Sequence, residues 1–306
     1  MTVDAATSAA SSAAAAPPDP RDDIRRVGVV GGGLMGSGIA EVCAAAGCDV
    51  VVAEADEAAA ARALKRVSAS VERGVTRGKI TADAAAETLS RLRVVVGLDA
   101  LADRDLVVEA VVEDEAAKVA VFRTLDAVVE RPDALLASNT SSIPIMKVAM
   151  ATGRAEHVVG MHYFNPVPVL KLVELVPSLL TSGETVRRTQ SFAEQVLAKK
   201  VIHCRDRAGF VVNALLVPYL LSAVRMLESG YATAEDIDTG MVQGCAHPMG
   251  PLALTDLIGL DTTKAIADSL YEEFKEPLYA PPPLLSRMVE AGLLGKKSGR
   301  GFYAYG

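Results

Sequence analysis

An α/β fold is predicted, with a Rossmann-type doubly wound sheet followed by a smaller all-helical C-terminal domain. Three features of the sequence predict it. Residues 27–54 read strand, glycine turn, helix, strand, acid. Short apolar runs then alternate with amphipathic segments as far as residue 203, the pattern of a parallel sheet covered on both faces. Beyond Asp206 the segments recur at helical spacing, with no strand-like run until Phe302-Tyr303.

The first unit opens with Val27-Gly28-Val29-Val30, an apolar run suited to a strand buried on both faces. Gly31, Gly33 and Gly36 follow in a G-x-G-x-x-G frame, with Leu34 and Met35 inside it. In a dinucleotide site the first glycine permits the tight turn and the second lets the pyrophosphate approach the backbone. The third allows close packing of helix on strand. Ile39, Val42, Cys43 and Ala46 recur at helical spacing until Gly47. The helix start offers free N–H groups and a positive dipole end to phosphates. Val50–Ala53 is the second strand and ends on Glu54, placed ~20 residues on to accept the adenine-ribose hydroxyls. NAD is therefore the expected cofactor. FAD is its competitor, because flavin enzymes use the same turn. NADP is disfavoured, because Glu54 repels a 2′-phosphate and no Arg follows it directly.

Asp56 to Arg77 reads as a long helix, with Leu64, Val67 and Val71 on its apolar side, and Thr81 to Leu92 as a second. Lys65, Arg66, Arg73, Arg77 and Lys79 form either a solvated face or a site for a phosphorylated ligand. Val94–Val96 and Leu106–Glu109 are the next strands, the latter entering a helix from Glu113 to Val129. Ala134–Ser138 runs into the turn Asn139-Thr140-Ser141-Ser142. His157–Met161, Lys171–Val176 and Val201–His203 complete the strands, with a helix over Thr185–Ala198 before the last. Ligands in such sheets sit beyond the strand C-terminal ends, so the N-T-S-S turn and the residues after Met161 should face the nicotinamide. Helices are then expected over Gly209–Glu228, Thr233–Gln243, Pro251–Leu270 and Pro282–Ala291. The expected organisation is a disordered tail over 1–23, a dinucleotide-binding domain over 24–207 and a helical domain over 208–306.

At 306 residues the chain is long enough for two such domains. Half its residues are hydrophobic, yet no run approaches the roughly 18 apolar residues of a membrane span. A net charge of −7 argues against nucleic-acid binding. The four cysteines form no C-x-x-C pair, which fits a reducing cytoplasm, and no His/Cys cluster has zinc spacing, so no metal is expected. The Ala/Ser/Asp/Pro-rich start resembles neither a signal nor a transit peptide.

Oxidising a hydroxyl requires a base for its proton while hydride leaves the carbon, and histidine titrates nearest neutrality. Of the four histidines, His157, His203 and His247 suit structural positions. His162 directly follows an expected strand, at the end where ligands dock. Glu174 lies in the apolar run Leu170–Leu175, and a carboxylate there needs a partner. His162 and Glu174 form the economical pair, the carboxylate orienting the imidazole and favouring its protonated form.

GGGLMGSGIA, SNTSS, MHYFNPVPVLKLVEL, GFVVNALLVPYL, HPMGPLALTDLIGLDT and GKKSGRGFYAY together closely resemble the L-3-hydroxyacyl-CoA dehydrogenases, nearest their short-chain 3-hydroxybutyryl-CoA branch. The resemblance spans about residues 25 to 306. It implies NAD-dependent interconversion of (S)-3-hydroxyacyl-CoA and 3-ketoacyl-CoA, in fatty-acid β-oxidation or butanoate metabolism, by a homodimer joined through the C-terminal domain. It implies His162 as base and Glu174 as its partner, with Ser141 and Asn213 holding the substrate oxygen and the histidine. Glu113, Lys118, Asn165 and Lys297 match cofactor-site positions, and Ser70 and Arg77 match positions that hold the CoA moiety. Ala208 and Ala214 depart from the family's usual Pro and Arg in P-G-F-V-V-N-R, which leaves chain-length preference open. Dehydrogenases of CoA-free hydroxy acids, the gulonate dehydrogenase and lambda-crystallin relatives, share most of these motifs. A noncatalytic NAD-binding protein is the alternative of a different class.

Overall fold

Valine-rich runs with no polar face bury both sides of a strand, and in the computed structural model, which describes residues 24–306, they form one eight-stranded sheet. The proposed tail lies outside the described residues. The strands are β1 (Arg26–Val30), β2 (Asp49–Glu54), β3 (Leu92–Val96), β4 (Leu106–Glu109), β5 (Leu135–Ser138), β6 (Val158–Tyr163), β7 (Leu172–Pro177) and β8 (Lys200–His203). Their order is β3-β2-β1-β4-β5-β6-β7-β8, so the direction of winding reverses between β1 and β4. Alternate residues feed two cores. Val50, Val52 and Leu106 face α1 (Leu34–Ala45), α2 (Glu57–Thr76) and α3 (Ala82–Ser90). Val51, Val107 and Leu136 face α4 (Glu115–Val128) and α5 (Ile145–Ala149).

Four sequence expectations are corrected. The sheet is not parallel throughout: β7 runs antiparallel to β6, pairing His162 with Glu174. The link over residues 164–171 is too short for a crossover helix, which needs a dozen or more residues, so the chain doubles back. β6 also runs on through His162 to Tyr163 instead of stopping at Met161. The helix expected over Pro251–Leu270 is two, α9 (Pro251–Ile258) and α10 (Leu260–Phe274), separated at Gly259 with φ +103°. Phe302-Tyr303 forms no strand, the segment making isolated bridges at Gly295–Arg300 and Arg300–Ala304.

The Thr185–Ala198 segment forms α6 (Gly183–Ser191) running into a wider π turn over Phe192–Val196. α7 (Val212–Glu228), α8 (Ala234–Cys245), α9, α10 and α11 (Pro283–Glu290) bury Val217, Leu221, Leu252, Leu270 and Leu285 in a third core. Asp238 caps α9 by accepting Leu252 N and Ala253 N, at 2.8 and 2.9 Å. Asp256 holds the chain end through Phe302 N and Tyr303 N, both at 2.9 Å. The link between sheet and helices is fastened on both sides. Asp206 accepts Ile145 N at 2.7 Å, while Glu273 accepts Ala208 N at 2.7 Å and pairs with Arg207.

Candidate active site

The glycine turn closes as its spacing requires. Gly31 has φ +89°, a conformation that L side chains rarely adopt, and a Cβ on Gly36 would lie 1.8 Å from Gly31 O. Gly33, which starts α1, has open space where its Cβ would be. That space lies at a helix N-terminus, where free N–H groups favour an anion. Gly32 N donates to Glu54 Oε1 at 2.6 Å, so the acid at the end of β2 braces the turn.

His162 and Glu174 face each other across the antiparallel pair, and the imidazole Nδ1 lies 2.7 Å from Glu174 Oε2. Glu174 is fully buried. Its Oε1 accepts Val211 N at 3.0 Å and Val212 N at 2.9 Å, with the Cys204 thiol at 3.6 Å. Gly209 (φ +73°) and Phe210 (φ +48°) precede those donors in left-handed backbone. This turns two successive N–H groups toward one oxygen, a nest for an anion. Phe210 is not a glycine and holds that strained geometry while its ring packs 5.5 Å from the His162 ring. Burial alone would raise the Glu174 carboxyl, but His162 and the two backbone donors hold it below the usual carboxylate range.

A second carboxylate organises the N-T-S-S turn. Glu113 Oε1 accepts Thr140 Oγ1 at 2.5 Å, Ser141 N at 2.8 Å and Ser142 N at 3.1 Å. Burial opposes its charge, but Lys118 and these donors lower its pKa below the ordinary value. Lys118 is buried, with Nζ 2.6 Å from Glu109 and 3.2 Å from Glu113. The other Glu109 oxygen accepts Ser138 Oγ at 2.6 Å.

Between the sheet and the helical segment lies a cavity of about 520 Å³. It brings together Leu34, Met35, Glu113, Ser141, His162, Asn165 and Asn213 from distant parts of the sequence. Leu216, Leu254, Ile258 and Ile266 give it an apolar wall. Two clefts adjoin it. One, sharing Ala110 and Val111, is lined by Gly31, Gly33, Glu54, Arg62 and Arg66. The other, sharing Leu34 and Asn165, is lined by Ser70, Arg66, Arg73 and Glu41.

Three expected site residues stand elsewhere. Lys118 is an internal cation rather than part of the cavity wall. Lys297 pairs with Asp261 at 2.6 Å, outside the wall. Arg77 is exposed at the end of α2, and Arg73 occupies the Ser70 cleft instead. Sequence reasoning missed Glu109, although a carboxylate ending the run Leu106–Val108 carries the same signal as Glu174. It also missed Phe164, 4.6 Å from the His162 ring, and the tie from the N-T-S-S turn to β6, where Asn139 Oδ1 accepts Tyr163 N at 2.9 Å.

Comparison with known proteins agrees with this arrangement. Residues 26–207 match the family model described as "3-hydroxyacyl-CoA dehydrogenase, NAD binding domain", and residues 209–305 match the C-terminal domain model of the same family. The chain is 61% identical over 284 residues to the 3-hydroxybutyryl-CoA dehydrogenase of Mycobacterium tuberculosis H37Rv, covering 93% of this chain and 99% of the relative. The crystal structure of M. tuberculosis FadB2 superposes with a TM-score of 0.92 at 61% identity, over 92% of this chain and 99% of that one. The (S)-3-hydroxybutyryl-CoA dehydrogenase of Ralstonia eutropha gives a TM-score of 0.87 at 44% identity, over 93% and 100%. With both halves of the family pattern present over nearly the whole described chain, the protein belongs to the 3-hydroxyacyl-CoA dehydrogenase family.

Proposed function

We propose that this protein is an NAD-dependent dehydrogenase interconverting (S)-3-hydroxyacyl-CoA and 3-ketoacyl-CoA, with 3-hydroxybutyryl-CoA and acetoacetyl-CoA as the preferred pair. The observation that carries the reading is the buried His162–Glu174 pair at the wall of a cavity beside the glycine turn. NAD fits the adjoining cleft, where Gly33 leaves room at the start of α1 and Glu54 ends β2. The chemistry supplied by the bound dinucleotide is hydride exchange with the substrate's third carbon. Since Glu174 holds Nδ1 of His162, the other ring nitrogen, Nε2, takes the hydroxyl proton in oxidation and returns it to the carbonyl oxygen in reduction. Ser141 and Asn213 hold that oxygen, and the Leu216–Leu254–Ile258 wall takes a short acyl chain. Ser70 and Arg73 receive the CoA moiety in the neighbouring cleft.

The names of the M. tuberculosis and R. eutropha relatives support this substrate over a CoA-free acid. The same reading makes the protein a cytoplasmic homodimer. Its four cysteines are free, and among the described residues no helix is long and apolar enough to cross a membrane. The test is NADH oxidation at 340 nm with acetoacetyl-CoA, acetoacetate and an L-gulonate control in the reverse direction. Acetoacetyl-CoA should be turned over and the CoA-free compounds should not. Comparable rates with free acetoacetate would refute the CoA assignment.

A further inference from the structure

Residues 164–171, which join β6 to β7, form a wall between two spaces. Phe164, Asn165 and Leu170 face the cavity at His162, whereas Asn165, Pro166, Val167 and Pro168 line the cleft that holds Ser70 and Arg73. Pro166 O accepts Val169 N and Leu170 N, both at 3.0 Å, which closes the segment into a turn. Two further carbonyls of that turn converge on one ammonium: Lys199 Nζ donates to Val167 O at 2.5 Å and to Leu170 O at 2.7 Å. The same turn presses on α1, where a Cβ on Gly38 would lie 2.9 Å from Val167 Cβ.

Lys199 itself lines neither the cavity nor the cleft. Among the described residues it forms no ion pair with a carboxylate. Ordering a lysine costs much side-chain freedom, and here two charge-assisted bonds to a single turn offset that cost. The backbone delivers the side chain to this place. After the π turn over Phe192–Val196, Ala198 takes left-handed backbone at φ +50°, uncommon for a residue with a Cβ. Lys199 N then donates back to Ala193 O at 2.9 Å, which fixes the start of the lysine.

We propose that Lys199 is a positioning residue for the CoA moiety, holding the Val167–Leu170 turn at its distance from Ser70 and Arg73. The proposal rests on the reading that this cleft takes CoA, and Lys199 acts there through the turn and not by contact. The two ends of the link are fixed independently. Asn139 holds Tyr163 N before it, and Lys200 N donates to Lys171 O at 2.7 Å where β7 pairs with β8. Loss of the ammonium therefore loosens the cleft wall and leaves His162 and Glu174 in register. The signature is weaker binding of the CoA arm with the chemical step unchanged.

The experiment compares steady-state rates with acetoacetyl-CoA and with acetoacetyl-N-acetylcysteamine, which keeps the thioester but lacks the nucleotide and most of the pantetheine arm. NADH binding is followed alongside by nucleotide fluorescence. Lys199→Met keeps an unbranched stem and removes the donors. It should raise KM for acetoacetyl-CoA roughly tenfold, the worth of one charge-assisted hydrogen bond. Its kcat with acetoacetyl-CoA, its kcat/KM with the short thioester and its NADH affinity should stay within about twofold. Lys199→Gln, whose amide keeps a neutral donor, should raise the same KM by about threefold. An unchanged KM for acetoacetyl-CoA in both variants would overturn the proposal. So would an equal loss with both thioesters, or loss of NADH binding in both variants, either of which would make Lys199 a brace of the fold. A wild-type enzyme with the same kcat/KM for the two thioesters would remove the CoA reading of the cleft, and this proposal with it.

Discussion

Glu174 acts on His162 by geometry and by charge, and the two effects separate experimentally. Glu174→Gln keeps the shape but loses the charge. With its amide oxygen on the Val211 and Val212 donors, its N–H₂ faces His162 Nδ1 and can only donate, so it no longer accepts a proton from that nitrogen. Turnover should fall by roughly 10²–10⁴-fold, the usual worth of a positioned acid or base. His162→Ala should lose at least as much and still bind NADH, because the glycine turn is untouched. The double variant should be little worse than His162→Ala, since residues acting as a unit are not additive. More than about a tenth of wild-type turnover in His162→Ala would move the base elsewhere. Stability carries its own sign. The folded Glu174 carboxyl is held below its ordinary value, so its contribution is complete above about pH 4.3, the unperturbed glutamate pKa, and is lost on further acidification. Thermal melts should show that acid loss in the wild type and a smaller one in Glu174→Gln.

At the scale of elements, the N-T-S-S turn hangs from β4 and α4 through Glu109, Lys118 and Glu113. The Lys118 ammonium lies between a fully buried carboxylate and the one that gathers Thr140, Ser141 and Ser142. A position that pattern matching assigns to the cofactor thereby becomes a brace for the turn carrying Ser141. Lys118→Met strands Glu109 without its cation, and breaking a buried pair this way costs about 3–5 kcal/mol. Chemical denaturation should record that loss, and Lys118→Met/Glu109→Gln should recover part of it. An unchanged unfolding midpoint would mean that Lys118 belongs to the cofactor after all. The two glycine-controlled bends have different origins: Gly31 is set by its own turn, whereas Gly259 divides α9 from α10 where a Cβ would press on Asp261 and Lys297. The first is legible as a motif, but the second lies between two helices whose apolar spacing continues across it.

For the whole molecule, the cavity has two kinds of wall. The sheet contributes the polar groups, and α7, α9 and α10 contribute Leu216, Leu254, Ile258 and Ile266. The proposed dimer would be joined through this helical segment, where Leu215 is 73% and Tyr231 80% exposed. Sedimentation at micromolar concentration should give about twice the chain mass. A monomer would refute the dimer and leave the catalytic reading intact.

The sequence by itself determined the sheet-then-helices architecture, because side-chain periodicity records which faces are buried. It also determined the glycine turn, whose constraints are local. Glu174 was legible for a related reason: an acid inside an apolar run must find a partner, and a histidine twelve residues away was available. Tertiary structure decided what depends on chain direction and on contacts between segments far apart in sequence. Reversing β7 is what sets Glu174 opposite His162 in register. Folding the Gly209–Phe210 bend against the sheet brings two backbone donors to the same carboxylate, and backbone donors leave no trace in residue identity. The placement of Arg73 rather than Arg77 beside Ser70, and of Arg62 and Arg66 beside Glu54, follows from the angle at which α2 crosses the sheet. Periodicity fixes which residues share a helix face but not how that helix is oriented in space.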